Sequence, residues 1–255
     1  MVHRAFRVSL TQTRKAFFCP EVNMNFKKPV FFTEAASLIG VFFVAMGTAL
    51  MEAADMGLSM ISAPAYILFL KLSETFPALT FGTVSYCFEA LLLALLCLLL
   101  RKFRVSYLMS FFTAFLFGVM LDFCIFMAAP LPRGLWFFRL IYFLAGMLFC
   151  ACGVALLFHT YIPPEVYELI VKEVSANFNF DIHKTKNVYD ISSTLLALVF
   201  SFLFFGFGHF VGIKWGTFVS AVVNAKLIKL FSDLFEAHFS FRDGVRKRDT
   251  ETEYE

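Results

Sequence analysis

Long apolar runs, separated by short charged or turn-forming segments, cover most of this chain of 255 residues. A helix needs about 20 apolar residues to cross a bilayer, and six runs have roughly that length. They are 30–54, 80–100, 105–128, 135–159, 188–207 and 216–235. The pattern therefore predicts an all-α integral membrane protein with six transmembrane helices.

Two shorter segments, 57–76 and 163–178, lie between these runs and differ from them in character. The first is interrupted by polar residues such as Ser59, and the second begins with Pro163 and Pro164 before apolar residues at helical spacing. Both are too short or too polar to be ordinary lipid-exposed spans. Each is predicted to be a short helix that re-enters the bilayer or lies on its surface, and the sequence leaves both alternatives open.

The first and fourth runs share a pattern of small residues, G-x6-G-x-A-L. It begins at Gly40 and Gly47 and recurs 106 residues later at Gly146 and Gly153. The same shift matches the order of long and short segments, and the two copies are three spans apart, which gives them opposite orientations. The pattern predicts two inverted repeats, as in many secondary transporters. The alternative is a chance similarity between two apolar helices.

Small residues at such spacings let helices approach closely. The paired glycines are predicted to pack each short segment against the opening helix of its own repeat. Gly212 and Gly216, before the last run, are interpreted as packing or turn positions, with exposed amides for an anionic substrate as the alternative.

The predicted units are a basic tail (1–29), a membrane domain (30–239) made of repeat one (30–128) and repeat two (135–235), and a charged tail (240–255). Met24 is a second reasonable start, immediately before the first span. Residues 1–23 are therefore interpreted either as an upstream extension or as a disordered cytoplasmic tail.

Composition excludes an ordinary soluble domain. The chain is 60% hydrophobic, with a mean hydropathy of +0.76, whereas soluble domains are about 45–50% apolar. Basic residues concentrate in the connections that six spans place on one side, which predicts that both termini are cytoplasmic. No alternation of basic and aromatic residues suggests a nucleic-acid interface.

The sequence contains no recognisable motif for catalysis or for a resident cofactor. None of the six cysteines forms a C-x-x-C pair beside a histidine cluster, so no metal site is expected. There is no phosphate-binding glycine-rich loop and no nucleophile elbow. We therefore expect that the protein is not an enzyme and holds no cofactor.

Ionisable residues inside spans are costly to bury and are candidates for function. Glu89 lies in the second span, Asp122 deep in the third and Arg139 near the start of the fourth. Asp122 and Arg139 flank the same tight turn and are predicted to form an ion pair. For Glu89 and Asp122, the alternatives are proton or cation coupling and a structural role.

Six further candidates for binding a substrate or a coupling ion lie at or near the two short segments. They are Glu52, Asp55, Ser59, Glu165, Lys186 and Asp190. Lys186 and Asp190 are four residues apart at the start of a helix, on one face. The spacing predicts either a local ion pair or, together with Glu165, a cytoplasmic gate.

Several of these residues also form a recognisable order: Pro164-Glu165, then Lys186 and Asp190, then Gly212-Ile-Lys-Trp-Gly216-Thr217. This order resembles the YczE/YitT-type family of bacterial multispanning membrane proteins, and the similarity covers roughly 35–235. The resemblance implies an integral inner-membrane protein of transporter-like build. It does not imply a substrate.

The sequence as a whole predicts a bacterial inner-membrane protein that moves a small solute or ion by alternating access of two inverted repeats. The alternative is a non-transporting membrane scaffold or an accessory subunit of another system. The expected partners are the lipid bilayer and a small solute or ion, without nucleic acid, and a homodimer is an option.

Overall fold

The computed structural model describes residues 30–132, 134–160, 165–180, 182–206 and 212–242. The predicted tail 1–29, with its alternatives for 1–23, lies outside the described residues. So do Pro163, Pro164 and most of the predicted tail 240–255.

Eight helices make up nearly all of the described part of the chain. They are α1 (Thr33–Ala54), α2 (Ala63–Thr75), α3 (Phe81–Leu100), α4 (Val105–Ala128), α5 (Trp136–Phe158), α6 (Val166–Phe178), α7 (Ile182–Phe205) and α8 (Trp215–His238). Two three-residue strands, β1 (Val30–Phe32) and β2 (Ser240–Arg242), pair in parallel. The helix order long, short, long, long therefore occurs twice, at the positions that the sequence pattern predicts.

Five of the long helices, α1, α3, α4, α5 and α7, are long and apolar enough to cross a membrane. Their outer faces carry large exposed apolar side chains: Leu98, Phe126 and Leu203 are each more than 70% exposed. Such surfaces suit lipid rather than water. The chain is accordingly a multi-pass membrane protein. The sixth predicted span corresponds to α8, which is equally long but is not among these five.

Helices α1 and α5 pack side by side and run in opposite directions. Gly40 lies against Gly153, and Gly47 lies against Gly146. A Cβ atom added at Gly47 would lie 2.6 Å from the Gly146 carbonyl oxygen, and one at Gly153 would lie 2.6 Å from the Gly40 oxygen. The four glycines thus permit direct backbone contact. The prediction that they pack each short segment against its own opening helix is wrong, because they join the two opening helices to each other.

The remaining helices surround this central pair. Helix α4 packs against α1, and α8 packs against α5. Helix α3 packs against α4, and the short helices α2 and α6 each contact both α3 and α7. The short helices are therefore part of the bundle and do not lie apart on its surface.

Each short helix has 13 residues, which corresponds to about 20 Å, less than the roughly 30 Å of a hydrocarbon core. Helix α6 begins beside Glu89, near the middle of α3, and the Arg104–Glu173 ion pair holds its later part beyond the end of α3. Met60, just before α2, lies at a similar level of α7, because Ser193 donates a hydrogen bond to its carbonyl oxygen. Both short helices therefore start within the bundle.

Proline and left-handed residues set the ends of these short helices. Helix α2 has Pro64 in its first turn, where the missing N–H needs no partner. Helix α6 ends at Asn179, whose φ of 53° closes the helix in the left-handed conformation.

We call the end of the bundle with Asp55 the Asp55 end, and the opposite end, with Arg104, the Arg104 end.

Candidate functional site

The first turn of α6 meets a fully buried carboxyl group. Glu89 lies on α3, eight residues after Phe81, which is about 12 Å along the helix. Its side chain is 0% exposed. One oxygen, Oε2, accepts a long hydrogen bond of 3.4 Å from the backbone N–H of Val166, the first residue of α6. The positive end of the α6 dipole favours a negative charge here.

A second carboxyl group, that of Glu165, lies at the same place. Glu165 immediately precedes α6, and its carboxylate lies close enough to Glu89 for the two negative charges to repel each other. Glu89 Oε1 and Glu165 Oε1 are both buried, and neither has a hydrogen-bond partner among the described residues. Burial, and then the neighbouring Glu168 carboxylate, raise the pKa of Glu165 above its ordinary value. We call Glu89 and Glu165 the carboxyl pair.

Hydroxyl groups border the carboxyl pair. Tyr167, on the first turn of α6, is 3% exposed, and its hydroxyl lies beside Ser85 of α3 without hydrogen-bonding geometry. Tyr189 of α7 also lies close enough to Glu89 for their charges to interact. Carboxyl and hydroxyl oxygens from three helices therefore converge in a buried space, where polar groups without partners are costly.

Lys186 and Asp190 lie next to this group, at the start of α7. Lys186 Nζ forms an ion pair of 2.8 Å with Glu168 of α6, and Asp190 lies near enough to interact with both of them electrostatically. The predicted local pair is therefore part of a contact between α6 and α7. Together with Glu165, these residues form one polar cluster around the first turn of α6.

A separate charged cluster lies at the Asp55 end. The Asp55 carboxylate binds Arg139 of α5 at 2.8 Å and Lys214, just before α8, at 2.6 Å. Arg139 also donates to the carbonyl oxygens of Ala54 and Asp55 at the end of α1. These cations neutralise the negative end of the α1 dipole. Glu52, Asp55 and Arg139, with Ala53 and Tyr66, line a cavity of about 330 Å³.

The predicted pair between Asp122 and Arg139 does not form. The Asp122 carboxylate instead accepts hydrogen bonds from the Thr80 hydroxyl at 2.5 Å and the Gly82 N–H at 2.7 Å, at the start of α3. Asp122 lies almost two turns before the end of α4 and faces α3, whereas Arg139 reaches the end of α1. Proximity to one turn in sequence therefore did not bring the two side chains together.

The other candidates have local roles in the turns. Ser59 donates a hydrogen bond of 3.1 Å to Ser62, just before α2. Gly212 has a φ of 76°, and its carbonyl accepts from the Leu58 N–H. Gly216 donates its N–H to the Met56 carbonyl at 3.0 Å. The two glycines therefore join the start of α8 to the segment before α2, which supports the packing interpretation.

Sequence reasoning missed Tyr167, Glu168 and Lys214 as site residues. Tyr167 and Glu168 stand in the first turn of α6, directly after Glu165, and the Pro-Glu pair in the sequence was a usable signal for that helix start. Lys214 gave no signal, because its partner Asp55 lies 159 residues earlier. Within the described ranges, no three histidine, cysteine or acidic side chains converge as a metal would require.

The family model of DUF6198, a family of unknown function, matches residues 32–233. The chain belongs to the DUF6198 family. The matched range contains all of α1 to α7 and most of α8, and the residues of both clusters lie within it. Membership is compatible with the YczE/YitT resemblance but gives it no specific support. No curated protein and no solved structure matches the chain.

Proposed function

We propose that this DUF6198 protein is a small secondary transporter of the bacterial inner membrane. It has six spans with both termini in the cytoplasm. Its two halves, 30–128 and 135–235, are inverted repeats. They rock against each other and expose a central site to each side in turn, which moves a small solute or ion across the membrane.

The helix contacts support the two repeats. If α1 to α4 correspond to α5 to α8, the contact of α1 with α4 matches that of α5 with α8. The contact of α2 with α7 likewise matches that of α6 with α3, and α2 with α3 matches α6 with α7. The glycine contacts obey the same exchange, because Gly40 against Gly153 becomes Gly146 against Gly47. The exchange is incomplete, because α3 packs against α4 whereas α7 and α8 make no comparable contact in the described part of the chain.

The buried start of α6 is the observation that carries the proposal. A half-helix that begins at membrane depth leaves backbone N–H groups available for a polar ligand, and transporters use such ends as binding sites. Here the first N–H group meets a fully buried glutamate, with a second carboxyl group beside it. Ionisable groups buried at this depth are rarely retained for packing alone.

Helix α8 is the sixth span in this proposal. With 24 residues, it is about 36 Å long, and it packs along α5. Its charged residues are Lys226 at its middle and Lys229, Asp233 and Glu236 in its second half. Long side chains such as that of Lys229 can extend toward the membrane surface. These charges explain why α8 is less apolar than the other five.

The charged cluster at the Asp55 end fits a closed outer gate. Asp55 connects the end of α1 to both Arg139 of α5 and Lys214 before α8. Ion pairs that cross between the two proposed repeats would have to break for that side to open. The neighbouring cavity, lined by Glu52 and Tyr66 among others, would then be the outer vestibule.

Transport can be tested before the solute is identified. Purified protein in proteoliposomes would be adsorbed on a solid-supported membrane and exposed to concentration jumps of small cations, anions and neutral polar solutes. The internal pH of the proteoliposomes would be recorded with a dye. We expect a current or a pH change for at least one class, lost in Glu89→Gln and retained in Glu74→Gln, an exposed glutamate on α2.

The absence of any response across all classes would contradict transport. If a partner protein were then recovered in fixed ratio after purification in mild detergent, the accessory-subunit alternative would replace the proposal.

A further inference from the structure

We propose that Glu89 and Glu165 form one proton-binding site at the buried end of α6, which makes the proton the coupling ion of this protein. The coupling role rests on the proposed transport function. Proton binding by the carboxyl pair does not, and it can be measured separately.

The charges around the carboxyl pair are out of balance. The titratable groups that face it are Tyr167 and Glu168 of α6, Lys186, Tyr189 and Asp190 of α7, and Cys150 of α5. Together with Glu89 and Glu165, these groups include four carboxylic acids and one cation. That cation, Lys186, is bound to Glu168 at 2.8 Å. Two adjacent ionised carboxylates in this space would lack compensation.

The unpartnered oxygens show where a proton fits. Glu89 Oε1 and Glu165 Oε1 are buried without hydrogen-bond partners among the described residues. The hydroxyl of Tyr167, a side chain that is only 3% exposed, is a third buried oxygen at the same place. A proton on one carboxyl group turns an acceptor into an O–H donor, which can then bond to the other carboxylate.

A proton suits this site better than a metal ion. Hard metal cations take about six or more oxygen ligands, whereas two carboxyl groups converge here and the described residues provide no third acidic ligand beside them in metal-binding geometry. The site is also closed by packing, since Val166 is fully buried. A proton needs no cavity, and it removes the repulsion between the two carboxylates.

The contact between α6 and α3 couples the proton to a movement. While Val166 lies on Glu89, the carboxyl pair is shielded from water and retains its proton. When the start of α6 moves away from α3, water enters, one Glu–COOH releases H⁺ to it, and both side chains remain as carboxylates. The shielded arrangement is therefore favoured at low pH and loses stability as pH rises through the raised pKa of Glu165.

Infrared spectroscopy of the full-length protein in detergent tests this site directly, because protonated carboxylic acids have a carbonyl band that carboxylates lack. We expect the wild type and Glu74→Gln to keep this band at neutral pH and to lose it with one midpoint on alkalinisation. Glu89→Gln and Glu165→Gln should each shift the midpoint of the remaining group. The double variant should lack the band.

Absence of the band at neutral pH in the wild type would overturn the proposal, as would an unchanged band in the double variant. If the double variant does not fold, treatment of the wild type with a hydrophobic carbodiimide, which modifies protonated buried carboxyl groups, decides the question. Modification of Glu89 or Glu165 that is lost at high pH would support the site. Modification found exclusively at other residues would overturn it. If the predicted titration is observed but no solute gives a response, the carboxyl pair binds a proton and the coupling role is contradicted.

Discussion

At the scale of single residues, Asp122 acts as a cap for a helix of which it is not part. Its carboxylate lies on α4 and accepts hydrogen bonds from the Thr80 hydroxyl and the Gly82 N–H of α3. The Gly82 N–H is one of the unsatisfied backbone donors of a helix start, and the positive end of the dipole favours the negative charge. Asp122 therefore has a sufficient structural reason to be charged within the bundle. Glu89 has no such structural reason to be charged, because its second oxygen lacks a hydrogen-bond partner among the described residues.

This difference predicts that Asp122→Asn weakens folding and leaves coupling intact. The amide keeps one acceptor but loses the charge, so we expect a loss of about 1–3 kcal/mol of stability. Thermal unfolding in detergent measures it, with Asp233→Asn, an exposed aspartate on α8, as the matched control. Equal melting temperatures for the two variants would contradict the capping role.

At the scale of elements, the contact between α1 and α5 is the most extensive between two helices in the described part of the chain. Four glycines allow it, and each of them faces backbone atoms of the other helix. In a lipid environment such contacts replace the hydrophobic effect as the main source of helix association. The repeated glycine motif was visible in the sequence, but its partner was not, because spacing along one helix does not state which neighbour that helix meets.

Even a single methyl group should disturb this contact. In Gly153→Ala, the new Cβ would lie 2.6 Å from the Gly40 carbonyl oxygen and 2.8 Å from Val44, which forces the helices apart at a cost of about 1–3 kcal/mol. Gly153→Leu should be worse. Gly134, where an added Cβ meets nothing within 4 Å, provides the control through Gly134→Ala and Gly134→Leu. Comparable melting temperatures and yields for the two positions would contradict the packing account.

At the scale of the whole molecule, the helices were predictable and the site was predictable only in part. Apolar runs and their breaks predicted all eight helices, since the bilayer sets their lengths. Glu89 was a candidate because it interrupts an apolar run. Its neighbour Glu165, far along the chain, could not be assigned to it, because that contact depends on the return of α6 into the bundle. The sequence pattern had left open whether α6 re-enters or lies on the surface.

The same limit applies to the charged cluster at the Asp55 end. Asp55, Arg139 and Lys214 come from three distant parts of the chain, and they meet because α1, α5 and α8 pack as they do. Local sequence favoured a different pair, Asp122 with Arg139. Helix packing decides such contacts, whereas sequence spacing predicts only the helices that carry the residues.

The central claim is that two half-helices enter the bundle from opposite sides of the membrane, one in each inverted repeat. Labelling with a membrane-impermeant maleimide tests it most directly. The exposed residues Thr75 and Asn177 lie in the last turns of α2 and α6, and each would be replaced singly by cysteine, with the wild-type chain as background. In intact cells and inside-out vesicles, Thr75→Cys should react only from outside and Asn177→Cys only from the cytoplasm. Reaction of both cysteines from the same side would contradict the inverted arrangement.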